Sequence, residues 1–593
     1  MCGCASQPTA YETSPYDFCT VTLHNVSLHR PLLPTRTPIE VLRMLRAVCC
    51  LFCLLATGVA QERKLTFPPA ETVAQIRPKG IHADMAFLAD DLLEGRGTGT
   101  RGYMLAAKYI ASQFEQLGLK PAGEHGTYFQ NVRFRQFAIV SEKSSVIIKR
   151  NGQEHPLRFE VDYVTGGDAL YPDTSLDAPA AFVGYGVTAP EFKYDDYAGA
   201  DVKGKIAVMI YGAPGKFPDA PRAHYSSSEI KLQTAVRHGA VGIVSVWAGP
   251  LTDRIPFKSL LRFYHSPHMR WLDEKGVPSD TNPQIRGSFM LNRDSAAPLF
   301  EGAAKPWTAA LEAAIASQPQ SFPLPVNIAL HIVSSYSEVE SPNIAGVLTG
   351  SDPELKNQYV VFTAHADHLG IGNPVNGDAI YNGAADDASG VAGILAIARA
   401  MAALKTPPKR SLMFLAVAGE EEGLLGSDYY AQHPTVPISQ IVADVNLDGL
   451  TLFYDFRDIV PMGAEHSTIS AEVNDVARHL GVEVSPDPAP EEVYFIRSDQ
   501  YSFVKQGVPS VFISEGYKTV DPKLDGKQIS EDWEAHYYHM PGDDMNQPNL
   551  HFDVAAKSAR IHMAVGYEIA QAPEKPHWNP GDFFGSFAKR EGQ

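Results

Sequence analysis

At 593 residues the chain is too long for one ordinary domain, so two or more are expected. Hydrophobic content of 44% and charged content of 20% are those of a globular protein. The net charge of −18, with no basic run, argues against a nucleic-acid partner, although plain solubility accounts for such a charge equally well.

All six cysteines (Cys2, Cys4, Cys19, Cys49, Cys50, Cys53) lie in the first 53 residues, so the remainder contains neither a disulfide nor a thiolate metal site. Residues 44–60 have the layout of a secretory signal: Arg43 and Arg46 are followed by a compact apolar stretch and then the small residues Thr57-Gly-Val-Ala60, with a cut expected after Ala60. The mature protein is therefore expected to be secreted or periplasmic, with no stable membrane insertion. No other segment approaches the ~20 apolar residues of a membrane span.

Between His82 and Leu119 the pattern is helical, clearest in the amphipathic run Met104–Phe114, and Pro121-Ala-Gly ends it. A β-rich region begins near Val132 and includes Ala180–Val187 and Gly204–Ile210. Glu229–Gly239 reads as a glycine-capped helix leading into the strand Val241–Trp247. From about Asn327, strands and helices alternate, which is the mark of a mostly parallel sheet covered on both faces. The tail after Pro573 is rich in Pro, Gly and aromatic residues and is assigned no structure.

Five side chains of metal-binding type punctuate the second half: His365, Asp386, Glu421, Asp448 and His539. His365 follows the apolar run Tyr359–Ala364, Glu420-Glu421 follow Ser411–Val417, and Asp448 follows Ile441–Val445. Open α/β sheets gather function at the carboxyl ends of their strands, so these distant residues can converge in one crevice. Each signal is weak alone: a lone histidine after a strand is more often structural, and Asp386 or Asp387 could simply cap the helix that follows. Gly419-Glu-Glu-Glu-Gly423 reads either as a solvated charge run or as a cation site, in which one glutamate binds metal and a neighbour takes a proton from water. Asp367 is a candidate to hold the ring of His365.

Taken together, His365-x-Asp367, Asp386-x-x-Ser-Gly390, Glu420-Glu421-x-Gly-x-x-Gly-Ser427, Asp448 and His539-x-Pro541 resemble the M28 family of co-catalytic zinc peptidases, in family order. Leu119-Lys-Pro-Ala-Gly123 and Tyr128-Phe-Gln130 resemble the N-terminal portion of these enzymes, and the middle region resembles the protease-associated (PA) domain that many members carry. The resemblance implies an α/β fold with a mostly parallel mixed sheet flanked by helices, interrupted by a β-rich PA insertion. Its layout is an N-terminal extension and signal at 1–60, peptidase at 61–135, the insertion at 136–325, peptidase again at 326–575 and a tail at 576–593.

It also implies two zinc ions: His365 and Asp448 on one, Glu421 and His539 on the other, and Asp386 bridging both. Asp387 is then joined to Asp386 by a cis peptide. Glu420 becomes the general base, Tyr538 an oxyanion stabiliser and Arg497 a substrate-binding residue. The expected activity is that of an aminopeptidase acting on peptide substrates, since no basic cluster is evident for gripping a substrate carboxylate. A glutamate-carboxypeptidase-like or single-zinc glutaminyl-cyclase-like relative is the alternative. A catalytically dead receptor on the same fold would have lost ligands or base, and all are present.

Overall fold

In the computed structural model, which describes residues 65–587 apart from 251, 253, 254 and 265, strands Ser411–Val417, Tyr359–His365, Ile441–Asn446 and Ser510–Glu515 lie side by side and parallel. The expected export segment at 44–60 lies outside the described residues. Antiparallel strands extend the sheet at both edges, Phe322–Leu348 beside Ser411–Val417 and Asp458–Met462 beside Ser510–Glu515. This is the expected mixed α/β sheet, with its parallel strands at the centre.

Strand periodicity explains the layers. Val360, Phe362, Leu412 and Phe414 point to one face, where they pack with helices Pro78–Leu88, Arg101–Gln116, Ser389–Ala402 and Phe552–Gln571. Val361, Met413 and Leu415 point to the other, against Tyr430 of helix Leu425–Gln432 and Phe503 of helix Gln500–Lys505. Every residue of Ser411–Val417 and Ile441–Asn446 is buried, as strands covered on both faces must be. Helix Phe552–Gln571 comes so close to the sheet that a Cβ on Gly566 would sit 2.2 Å from Phe362.

The middle region has cores of its own, built around Phe182, Val208, Val246, Leu291 and Ile328 on one side of its sheet and Ala181, Met209 and Ile243 on the other. Strands Asp173–Phe182, Ile206–Ile210, Gly242–Trp247 and Ser288–Asn292 run parallel within it. The 27-residue strand Phe322–Leu348 belongs to both sheets. Its first half pairs with Asp173–Phe182 and Ser145–Arg150, and its second half with Phe129–Ile139 and Ser411–Val417. The tail, left without structure by its composition, packs as turns: Trp578, Phe583, Phe584 and Phe587 join Phe495 and Tyr501 in an aromatic cluster. Among the described residues, no helix is long and apolar enough to cross a membrane.

Candidate metal centre

Parallel neighbours end at the same edge, so His365 (the last residue of its strand), Glu420-Glu421 and Asp448 are delivered to one place from three adjacent strands. Asp386 arrives from the turn that opens helix Ser389–Ala402, and His539 from the loop after helix Gly526–His536. The peptide bond joining Asp386 to Asp387 is cis.

The Asp386 carboxylate faces two ways. Its Oδ1 is 3.1 Å from His365 Nε2 and its Oδ2 is 3.2 Å from His539 Nε2. His365 Nε2 is also 3.4 Å from Asp448 Oδ1, and His539 Nε2 is 2.9 Å from Glu421 Oε2. Donor atoms of His365, Asp386 and Asp448 all lie within 4.8 Å of one another, as do those of His368, Asp386 and Glu421. Zinc bonds of about 2.0–2.1 Å at tetrahedral angles put neighbouring donors about 3.3 Å apart, the spacing seen here. His365 Nε2 is buried and makes no aligned hydrogen bond, although three carboxylates surround it. The imidazole and carboxylate donors therefore fit a divalent cation of borderline hardness.

Electrostatics point the same way. Burial alone would raise the Asp386 carboxyl, yet His365 and His539 hold it well below the usual range. Burial likewise opposes ionisation of Glu421, and His539 and His368 pull it down to about 2. Burial tends to lower His539, but Glu421 and Asp386 push it up to about 10. Glu420 lies 4.0 Å from His365 Nε2 and is pushed well above the carboxylate range, first by burial and then by Asp448 and Glu421.

The supporting bonds tie the loops together. Asp387 Oδ2 accepts from His365 N, and its Oδ1 accepts from Gly390 N and Gly449 N, joining strand, helix and the Asp448 loop. His365 Nδ1 faces the Asp367 carbonyl oxygen at 3.2 Å, while the Asp367 carboxylate, 3.9 Å away, accepts from Thr98 Oγ1 and Glu420 N. Tyr538 stacks on His539 with centroids 3.9 Å apart. Arg497 is exposed, its guanidinium 5.1 Å from the Tyr494 ring and within electrostatic reach of Tyr538 and Tyr211.

Three contributors escaped the sequence reading. His368 Nδ1 lies 2.6 Å from Glu421 Oε1. Asp543 accepts from the backbone N–H groups of Ala385 and Asp386. Arg96, fully buried, donates to the carbonyls of Leu88, Ala366, Asn382 and Gly383, so it clamps the segments on either side of His365 and Asp386. His368 and Asp543 stand beside recognised motifs, in His365-Ala-Asp-His368 and His539-Met-Pro-Gly-Asp543, and could have been found there; Arg96 carries no local signal.

Residues 343–564 match the model of peptidase family M28. A "Probable zinc metalloprotease" of Pyrenophora teres f. teres is 27% identical over 281 residues, covering 42% of this chain and 57% of the relative. A "probable leucine aminopeptidase 2" of Aspergillus oryzae is 26% identical over 240 residues, covering 38% and 44%. The solved structure of an aminopeptidase from Aneurinibacillus sp. strain AM-1 aligns with a TM-score of 0.49 at 18% identity, over 86% of this chain and 97% of that one. The chain spans about half the length of the curated relatives it matches.

Proposed function

We propose that this chain, whose residues 343–564 match the model of peptidase family M28, is a member of that family and an exported zinc-dependent aminopeptidase with a two-ion centre. The observation that carries this reading is the two-faced Asp386 carboxylate, with one oxygen turned to each histidine and Glu420 alongside without a histidine of its own at hydrogen-bond distance.

His365, Asp448 and Asp386 would hold one zinc, and His539, Glu421 and Asp386 the other. When bound, the ions supply Lewis acidity that makes water a nucleophile at neutral pH. The chain does the rest. Glu420 receives the proton of the attacking water and returns it to the leaving amine. Asp367 accepts from the backbone N–H of Glu420 and so fixes where that base begins. The Tyr538 phenol, kept protonated by burial, donates to the oxyanion. Arg497, exposed and within electrostatic reach of Tyr538, binds substrate. Residues 136–325 are read as a PA-type insertion. It brings Tyr211, whose ring lies 4.5 Å from that of Trp247, to the neighbourhood of Arg497 and narrows the approach.

Glu420→Gln tests the assignment. The variant is expected to retain both metals by elemental analysis and to lose at least about 100-fold in kcat, the size of a general-base contribution. A near-normal kcat contradicts it.

A further inference from the structure

Beside the loop that carries Arg497 lies a cavity of about 370 Å³ that the proposed chemistry leaves unused. It sits between helix Asp219–Ser226 of the middle region, strand Asp458–Met462 and helix Ile469–Leu480. Its wall is mainly hydrocarbon, built from Ala223, Val460, Met462, Val473 and Phe495. Its charged lining is of one sign: Asp219, Glu465 and Asp487, with no lysine, arginine or histidine among the described residues that line it. The nearby Arg222, outside the lining, donates to Asp219 Oδ1 at 2.9 Å and to the Pro490 carbonyl at 3.1 Å. An apolar enclosure edged by carboxylates favours an apolar group that carries a positive charge, and it disfavours an anion.

One border of the cavity is also an edge of the sheet. Among the described residues, strand Glu483–Val484 pairs only with Asp458–Met462. Glu483 N and Ser485 N donate inward, to the carbonyls of Arg457 and Ile459. Alternation along a strand turns the amide and carbonyl of Val484, between them, the other way. Val484 is 39% exposed, and it lines the cavity together with Ser485 and Pro486. An open edge of this kind accepts the main chain of an extended peptide, while an adjoining pocket takes one of its side chains.

From this juxtaposition we propose that the cavity is an accessory peptide site: the main chain pairs with Val484, an apolar side chain enters between Val460, Val473 and Phe495, and a lysine or arginine lies against the acidic rim. The choice of a peptide as occupant rests on the peptidase reading above. The site also touches the loop of Arg497. Val493 and Phe495 line the cavity, whereas Tyr494, between them, has its ring 5.1 Å from the Arg497 guanidinium and donates its hydroxyl to Glu534 Oε1 of helix Gly526–His536. An occupant therefore bears on the loop that sets Arg497 without entering the metal centre.

The probe is acetyl-Leu-Lys-Leu-Lys-amide, blocked at both ends, with acetyl-Leu-Glu-Leu-Glu-amide as its anionic counterpart. Binding to the full chain is measured by isothermal titration for wild type, for Ser470→Trp and for the double variant Asp219→Asn, Glu465→Gln. Ser470 lines the cavity from helix Ile469–Leu480, so a tryptophan there fills it. The lysine peptide is expected to bind wild type at least about 10-fold more tightly than the glutamate peptide, and to lose about 10-fold or more in Ser470→Trp. The double variant should weaken it by about 2–5-fold, a loss that high salt removes. Against hydrolysis of an aminoacyl anilide, the lysine peptide should act without competing. No measurable binding of the lysine peptide to wild type, equal affinity for the two peptides, or unchanged affinity in Ser470→Trp would each overturn the proposal. So would purely competitive inhibition of the anilide reaction, which would put the peptide in the metal centre. Binding is measured without turnover, so a chain that binds the lysine peptide as expected but cleaves no free-amine substrate would contradict the aminopeptidase reading and leave this site standing.

Discussion

Three consecutive glutamates end in three different settings. Glu420 lies beside His365, Glu421 is shared between His539 and His368, and Glu422 is pushed up to about 8 by burial, with Asp367 and Glu421 adding to the effect and Arg270 of the middle region opposing it. The repulsion that made Gly419–Gly423 ambiguous is thus divided among separate partners. Sequence showed which residues carry the charge, because all of them stand at strand ends. It could not show what braces them, because those contacts are remote: Asp543 reaches Ala385 across 158 positions and Arg96 reaches Gly383 across 287. Asp387 could be read only as a helix cap or a neighbour of the bridge, yet its carboxylate accepts three backbone N–H groups from three segments. Asp387→Asn keeps one oxygen and turns an amide toward a donor. It should lose about 1–3 kcal/mol of stability, the cost of leaving a buried donor unsatisfied, read as a lower denaturant midpoint at unchanged m-value.

At the scale of elements, hydrophobic patterning carried the reading where strands are short and buried. The parallel run Tyr359–His365, Ser411–Val417 and Ile441–Asn446 falls where the apolar segments predicted it. Patterning could not announce that Phe322–Leu348 is a single strand shared by two sheets, because an alternating period of two looks the same in either. The tail failed for a different reason: it has no regular period, and its order comes from aromatic packing. Phe584, fully buried, lies 5.2 Å from Phe495 and 5.0 Å from His466, while its neighbour Phe583 lies 5.3 Å from His224 of the middle region. The tail thereby contacts both the surroundings of the parallel sheet and the middle region. Phe584→Ala should cost about 3–5 kcal/mol, the range for emptying a buried aromatic site, measured by denaturant unfolding.

Over the whole molecule, the middle region is joined to the parallel sheet that bears the candidate metal centre by continuous backbone pairing as well as by side chains. Lys505 bonds both Glu229 of the middle region and Asp428 of helix Leu425–Gln432, and Asp428 also accepts from the Trp271 indole. A lobe anchored in this way can hold Tyr211 in a constant position near Arg497. Tyr211→Ala should therefore change KM for peptides with bulky residues by several-fold while leaving a minimal aminoacyl substrate unaffected; equal effects on both would place Tyr211 outside the substrate's path.

The central claim, a two-zinc exopeptidase that requires a free amino terminus, is tested most directly by metal content per chain measured together with hydrolysis of matched peptides bearing free and acetylated amino termini. The expected result is two zinc ions per chain and cleavage of the free-amine peptides only. One ion per chain, or turnover of the acetylated series at a comparable kcat/KM, would contradict it.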